Sequence, residues 1–168
     1  MLWLVGMMGS GKSTVGSRVA ERLGLDFVDT DDLVTSVTES TISDLWSARG
    51  EETFRRLERQ MIASAAAGEP VVVATGGGVV LETENITAMR KSGLVVWLKA
   101  SPEVLAERIG RDSTRPLLAT SDDPVAALRS LLDEREESYI EAAHAVVDTD
   151  HRPVPEIVET VLALWNES

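Results

Sequence analysis

An eight-residue stretch near the start of the chain, Gly6 to Ser13, reads GMMGSGKS and directly follows the apolar run Leu2 to Val5. It fits G-x-x-x-x-G-K-[ST], in which the glycines let the backbone curl around a polyphosphate and aim amide groups at its oxygens. In that arrangement Lys12 reaches the β- and γ-phosphates, and Ser13 offers a hydroxyl to Mg²⁺. A helix from Ser13 onward directs its positive end at the same anion. The pattern therefore predicts a strand, a phosphate-binding loop and a helix; a Gly-rich turn without a ligand is the alternative.

The composition is that of a single domain, which we place at residues 1–168 with 43% hydrophobic residues. The sequence has no cysteine, which excludes disulfides and thiolate metal sites. A formal net charge of -12 disfavours a nucleic-acid partner, although local cations could still bind a small anion. Because neither a signal peptide nor a membrane span is recognisable, we expect a cytoplasmic protein without a membrane partner.

Short apolar runs alternate with longer helical patterns, which is typical of an α/β fold with a mostly parallel sheet. The expected strands are Leu2 to Val5, Asp26 to Asp29, Pro70 to Thr75, Leu94 to Leu98 and Ala145 to Val147. The expected helices are Ser13 to Leu23, one through Phe54 to Ile62 that ends near Gly68, Thr83 to Lys91, Pro102 to Ile109, Pro124 to about Ala142 and Pro155 to Trp165. Residues 111–123 lack periodicity and are expected to form a loop. Ligands of open parallel sheets bind beyond the carboxyl ends of the strands, so functional residues are expected there.

Two of those strand ends carry further candidates. If the second strand continues to Thr30, Asp29 and Asp31 project to the same side, where one could serve Mg²⁺ and the other a substrate hydroxyl. The alternative is that Thr30 or Asp31 caps a helix that starts near Asp32. The third strand ends in Gly76-Gly77-Gly78, which is either a plain turn or a close approach of backbone to a ligand. Since no Asp follows this third strand, metal support is assigned to Asp29.

Three arginines are candidate ligands for anionic groups. Arg55 has Glu58 three residues further on, a spacing at which the carboxylate can steady the guanidinium. Arg135 stands in the same relation to Tyr139, four residues further on. Arg115 lies in the expected loop. Each arginine alone could equally be a solvated surface cation.

In combination, these motifs resemble those of shikimate kinases over nearly the whole chain. They are, in order, Gly6 to Thr14 followed by Val15-Gly16, Phe27-Val28-Asp29-Thr30-Asp31, Gly50-Glu51-Glu52-Thr53-Phe54-Arg55, Gly76-Gly77-Gly78, Arg115-Pro116-Leu117-Leu118, and Arg135 with Tyr139. The resemblance implies a nucleoside-monophosphate-kinase-like fold of three α/β/α layers, with a five-stranded parallel sheet flanked by helices. It also implies a substrate-binding segment at about 31–62 and a mobile lid at about 111–124.

The implied reaction moves the γ-phosphate of ATP to the 3-hydroxyl of shikimate, in the pathway to chorismate and the aromatic amino acids. The resemblance assigns ATP to Gly9, Ser10, Gly11, Lys12, Ser13, Thr14, Arg108, Arg115 and Arg152. It assigns Mg²⁺ to Ser13 and Asp29, and shikimate to Asp31, Arg55, Gly77, Gly78 and Arg135. Its catalytic residues are Lys12, Asp31 and Arg115.

The chain departs from the usual family pattern at three positions over the implied substrate pocket. Thr35 stands where Glu is usual, Glu39 where Gly is usual and Trp46 where Phe is common, which bears on substrate affinity and identity. Two alternatives are a related kinase for a small metabolite such as gluconate, and a nucleotide-binding homologue without catalysis. We expect a monomer whose partners are ATP and a small molecule.

Overall fold

The computed structural model describes residues 1–110 and 123–168, and these contain one five-stranded sheet in the order β2-β3-β1-β4-β5. The strands are β1 (Leu2–Val5), β2 (Asp26–Asp29), β3 (Val71–Ala74), β4 (Leu94–Lys99) and β5 (Ala145–Asp148). Every neighbouring pair is parallel. All five expected strands are thereby confirmed, within one residue at each end.

Helices cover both faces of this sheet because side chains alternate along each strand. In β1, Trp3 and Val5 belong to one buried cluster, whereas Leu2 and Leu4 belong to another. The helices are α1 (Lys12–Leu23), α2 (Thr30–Thr38), α3 (Ile42–Ala66), α4 (Thr83–Ser92), α5 (Pro102–Gly110), α6 (Pro124–Ala142) and α7 (Val154–Glu167). The first cluster contains side chains of α3 to α6, and the second contains those of α1 and α7. The expected three layers are thus confirmed.

The helix α3 is interrupted at Gly50, whose φ of 79° and ψ of 164° are not helical. The expected helix around Phe54 is therefore only the second part of a longer element. Its first part begins at Ile42, where the Thr41 side chain accepts a hydrogen bond from the Asp44 N–H. This cap satisfies an otherwise unpaired amide of the first turn. The segment from 31 to 62 consequently contains α2 and most of α3.

The register of the sheet brings three strand ends together. Asp29 of β2 is the register partner of Ala74 in β3, and Leu4 of β1 is the partner of the same alanine. The residues that follow β1, β2 and β3 therefore meet at one edge. Within the ranges that the structure describes, no helix combines the length and the apolar composition that a membrane crossing needs.

Candidate functional site

The loop between β1 and α1 presents backbone donors at this edge. Gly9 and Gly11 have φ values of 79° and 95°, a left-handed conformation that side chains disfavour. Helix α1 begins without a side-chain cap on its first turn. In the described part of the chain, the amides of Met8, Gly9 and Gly11 donate to no acceptor. Several N–H groups can therefore bind one anion at a helix N-terminus.

The Lys12 side chain lies within this loop rather than in solvent. Its Nζ donates to the carbonyl oxygens of Gly6 and Met7 at 2.8 Å and 2.9 Å, and the residue is only 9% exposed. Ser10 Oγ is also buried there, without a hydrogen-bond partner among the described residues. The loop thus holds one ammonium group and one buried hydroxyl beside its amides.

Asp29 connects the loop to the end of β2. Its Oδ2 accepts a hydrogen bond from Ser13 Oγ at 2.6 Å, and its Oδ1 accepts from the Asp31 N–H at 3.0 Å. The second bond caps α2, so the interpretation that Thr30 or Asp31 caps this helix is wrong. Because β2 stops at Asp29 and a helix begins at Thr30, the strand geometry that would place both carboxylates on one side is also absent.

The donor set at Ser13 and Asp29 suits a hard cation. A hydroxyl and a carboxylate already lie within 2.6 Å of each other, and both are oxygen ligands of the kind that Mg²⁺ prefers. Across residues 1–110 and 123–168, no group of three or more His, Cys, Asp or Glu side chains could hold a metal ion. The pair therefore fits an ion that takes its remaining ligands from phosphate and water.

Two carboxylates, those of Glu58 and Asp31, lie against Gly76. A Cβ added to Gly76 would be 2.7 Å from Glu58 Oε1 and 2.9 Å from Asp31 Oδ1, so glycine is needed for this approach. The Gly76 N–H donates to Thr30 Oγ1 at 3.0 Å, which joins the ends of β2 and β3. Burial raises the pKa of Glu58, although Arg55 opposes the shift and Asp31 adds to it. Glu58 Oε1 itself has no partner within the described ranges.

Arg55 lies directly against Gly78. A Cβ on that glycine would be 2.5 Å from Arg55 Nη1. Nη1 donates to Glu58 Oε2 at 2.9 Å, which confirms the steadying contact expected from the spacing. The other edge of the guanidinium, Nε and Nη2, donates to Oε1 of Glu51 at 3.3 Å and 3.2 Å. Sequence reasoning missed Glu51, although its i,i+4 spacing to Arg55 was a usable signal.

Arg135 of α6 also reaches the loop that follows β3. Its Nη1 is 3.6 Å from the position that a Cβ of Gly77 would take. Arg135 lies close enough to Tyr139, as expected, for its charge to oppose the rise that burial causes in the pKa of the Tyr139 hydroxyl. The Tyr139 hydroxyl also donates to the Gly77 carbonyl oxygen at 2.6 Å, a contact that the sequence did not indicate. The Gly77-Gly78 step therefore lies between the guanidinium groups of Arg55 and Arg135.

The other residues predicted to bind the nucleotide lie at different distances from the phosphate-binding loop. Arg108 donates to the Thr149 carbonyl oxygen at 2.6 Å and to Gly9 O at 3.4 Å, so it lies beside the phosphate-binding loop. Arg152 donates to Asp148 O at 3.1 Å and to a hydroxyl of α7, next to the end of β5. Thr14 is exposed in the first turn of α1. Arg115 and the expected lid at about 111–124 fall on residues 111–122, outside the described residues, apart from the last two lid positions.

Two of the three unusual residues contact Asp31 or Arg55, and the third ends α2. Thr35 Oγ1 donates to Asp31 O at 2.9 Å. Glu39 ends α2 with a φ of 51°, a left-handed conformation that explains why glycine is the usual residue there. Trp46 packs on Phe54 with ring centroids 5.7 Å apart, and the Arg55 guanidinium carbon lies 5.8 Å from the Trp46 ring centroid. The enlarged ring at Trp46 thus contacts a predicted substrate residue through a cation–π geometry.

Comparisons with known proteins agree with this arrangement. A sequence model of the family described as "Shikimate kinase" matches residues 8–165. A shikimate kinase of Symbiobacterium thermophilum is 48% identical over 165 residues, which cover 98% of this chain and 95% of that protein. A shikimate kinase of Acinetobacter baumannii, solved in complex with shikimate, superposes with a TM-score of 0.93 at 34% identity, over 99% of this chain and 92% of that one. A gluconokinase of Sinorhizobium meliloti gives a TM-score of 0.58 at 22% identity, covering 99% of this chain and 91% of the other, and shares the fold alone.

Proposed function

The chain belongs to the shikimate kinase family, and we propose that the residues at the carboxyl ends of β1, β2 and β3 perform its reaction. The reaction is transfer of the γ-phosphate of ATP to a hydroxyl of shikimate, for which we propose the 3-hydroxyl. One observation carries the assignment. A phosphate-binding loop, the Asp31 carboxylate and two guanidinium groups flanking Gly77-Gly78 all meet at a single edge of the sheet.

The donor half of the site is the loop and the start of α1. Its amides would bind the phosphate oxygens, and the Lys12 ammonium would offset charge that develops on the transferring group. Mg²⁺ would be held by Ser13 and Asp29, whose oxygens already lie together. When bound, the ion neutralises phosphate charge. Arg108 and Arg152 would lie near the adenine of the bound ATP.

The acceptor half requires a molecule with both a carboxylate and hydroxyl groups. Arg55 and Arg135 would bind the carboxylate, because the planar fork of a guanidinium matches its two oxygens. The Gly77 and Gly78 backbone would contact the acceptor between them. Asp31 would accept a hydrogen bond from the attacking hydroxyl and orient or deprotonate it. We also propose, from the resemblance alone, that Arg115 approaches the transferring phosphate during closure.

The direct test uses purified protein with ATP, Mg²⁺ and shikimate. We expect ADP to form in step with shikimate 3-phosphate, identified by NMR of the product. Gluconate is the matched comparison acceptor, because it also carries a carboxylate and hydroxyl groups but lacks the ring that fixes their relative positions in shikimate. ADP formation without a phosphorylated shikimate, or equal turnover on gluconate, would contradict the proposed reaction. A homologue without catalysis would bind ATP and phosphorylate neither acceptor.

Replacing Arg135 by lysine should weaken shikimate binding while leaving ATP binding intact. The substitution keeps the positive charge but loses the two-pronged contact, so the KM for shikimate is expected to rise by roughly tenfold or more. Steady-state kinetics with each substrate varied in turn provide the measurement. Arg129→Lys on the exposed face of the same helix is the control. An increased KM for ATP in place of shikimate would move Arg135 to the nucleotide.

Replacing Glu51 by glutamine should strengthen shikimate binding. Glu51 is 56% exposed and occupies the Nε and Nη2 edge of Arg55, so it competes with the incoming carboxylate for those donors. Removing its charge should lower the KM for shikimate by about twofold, since an exposed i,i+4 ion pair contributes only about 0.5 kcal/mol. The neighbouring Glu52→Gln controls for net charge. A higher KM would indicate that Glu51 holds Arg55 in its binding orientation.

We further propose that the protein acts as a monomer in the cytoplasm, with ATP and shikimate as its partners. Sedimentation of the purified protein across a concentration series tests the first part. A mass of one chain, 18.2 kDa, is the expected result.

A further inference from the structure

The hydroxyl of Tyr139 makes a contact that none of the roles above uses. Tyr139 is fully buried in α6, and its ring stacks on Trp97 with centroids 5.2 Å apart and an interplanar angle of 14°. Apolar packing accounts for the ring. The hydroxyl instead donates to the Gly77 carbonyl oxygen at 2.6 Å, across 62 positions of sequence. A buried phenylalanine would fill the same space without this bond.

The bond fixes more than one carbonyl group. The Gly77 C=O and the Gly78 N–H belong to one planar peptide unit and point in opposite directions. Holding the carbonyl towards Tyr139 therefore directs the Gly78 N–H away from it. Within the described ranges, neither the Gly77 N–H nor the Gly78 N–H donates to any acceptor. Glycines restrict their own backbone weakly, so an external contact is needed to hold these donors in place.

The same hydroxyl lies near Arg135, one helical turn earlier in α6. Burial strongly raises the pKa of the Tyr139 hydroxyl, although Arg135 opposes the shift, so the group stays protonated and remains a donor. Tyr139 thus holds the Gly77-Gly78 peptide beside the Arg135 guanidinium, whose Nη1 is 3.6 Å from the position that a Cβ of Gly77 would take. The orientation of the Gly78 amide therefore depends on one buried hydroxyl.

We propose that Tyr139 is a positioning residue for the acceptor, which it serves by orienting the Gly78 amide through its hydroxyl. The inference rests on the proposed function only for the identity of the acceptor. It makes a separate statement about the free protein, namely that the orientation of the Gly77-Gly78 peptide depends on this one hydroxyl.

The variant Tyr139→Phe keeps the ring and removes the bond. We expect the KM and Kd for shikimate to rise about tenfold, the scale of one lost hydrogen bond, with the KM for ATP unchanged. In the free protein, the amide resonance of Gly78 should shift in a ¹⁵N–¹H spectrum and its hydrogen exchange should accelerate. The control Ser92→Ala removes the acceptor of the Trp3 indole N–H, a 3.0 Å bond at the other end of the sheet. It should lower the unfolding temperature without either effect.

A second measurement keeps the Tyr139 hydroxyl in place. Tyr139 is the only tyrosine of the sequence, so incorporation of 3-fluorotyrosine gives a single ¹⁹F resonance. Shikimate should shift this resonance, whereas ADP should leave it nearly unchanged. Tyr139→Phe behaving like Ser92→Ala, with an unmoved Gly78 amide, would overturn the proposal even if shikimate is the substrate. Failure of wild-type protein to bind shikimate would refute the proposed function, while the Gly78 amide of the free protein would still decide the role of Tyr139.

Discussion

Substitution of Lys12 by alanine is expected to lower kcat for shikimate phosphorylation by roughly 10²- to 10³-fold, the effect of removing one preorganised charge from a transition state. Lys12 is the only lysine in the loop, and its Nζ is held at 2.8 Å from Gly6 O in a nearly buried position. Little solvent is available to replace it. The measurement is single-turnover release of ADP, which separates the chemical step from product release.

The structure also predicts a stability cost for this variant. Loss of the ammonium leaves the Gly6 and Met7 carbonyl oxygens without their Nζ donor, at about 1 kcal/mol for a buried bond. The unfolding temperature should therefore fall by a few degrees, while the circular dichroism of the native state is kept. Lys91→Ala, at an exposed lysine of α4, is the matched control. A Lys12→Ala protein with normal kcat would refute the role of Lys12 in the reaction.

Three of the strands, β1, β3 and β4, are predictable because most of their side chains are buried on both faces. Each is a short apolar run bounded by turn residues, such as Leu2–Val5 before Gly6, and this local pattern suffices. The first part of α3 was not predicted. It depends on the Thr41 cap, on the break at Gly50 and on packing of Trp46 against Phe54. Of these signals, only the Thr41-x-x-Asp44 cap is visible in the sequence.

Some features of the candidate site depend on local sequence, whereas others depend on contacts between distant parts of the chain. The phosphate-binding loop is dictated by glycines at fixed spacing, and the Arg55–Glu58 pair by adjacent turns of one helix. Neither needs information about the rest of the fold. The contact from Tyr139 to Gly77 joins α6 to the loop after β3. Because the two residues are far apart in the sequence, no local sequence pattern predicts it. The sequence prediction assigned the cap of α2 to Thr30 or Asp31 instead of Asp29. The exact end of β2, which sets the cap, depends on how the neighbouring elements pack.

The position at which β2 ends determines whether the Asp31 carboxylate caps α2 or is available to the substrate. Had Asp31 capped α2, its carboxylate would have been committed to the helix. The cap is Asp29, whereas Asp31 lies at the second position of α2, where its Oδ1 is directed to within 2.9 Å of a Cβ position on Gly76. The helix dipole stabilises an acidic side chain anywhere in the first turn. That stabilisation does not require the side chain to face the loop of a neighbouring strand. This direction towards Gly76 supports a role in the reaction.

Asp31→Asn should therefore lower kcat by about 10²-fold or more, the usual contribution of a general base, with a smaller change in the KM for shikimate. Asparagine keeps the size of the side chain but cannot take the proton of the attacking hydroxyl. The control is Asp32→Asn, the same substitution at the next, exposed position of α2. Each variant loses one charge near the helix N-terminus, which costs about 0.5 kcal/mol of stability, and Asp31→Asn also removes a like-charge repulsion with Glu58. If they also keep the same kcat, Asp31 contributes only to the helix; a loss confined to Asp31→Asn assigns it to the acceptor hydroxyl.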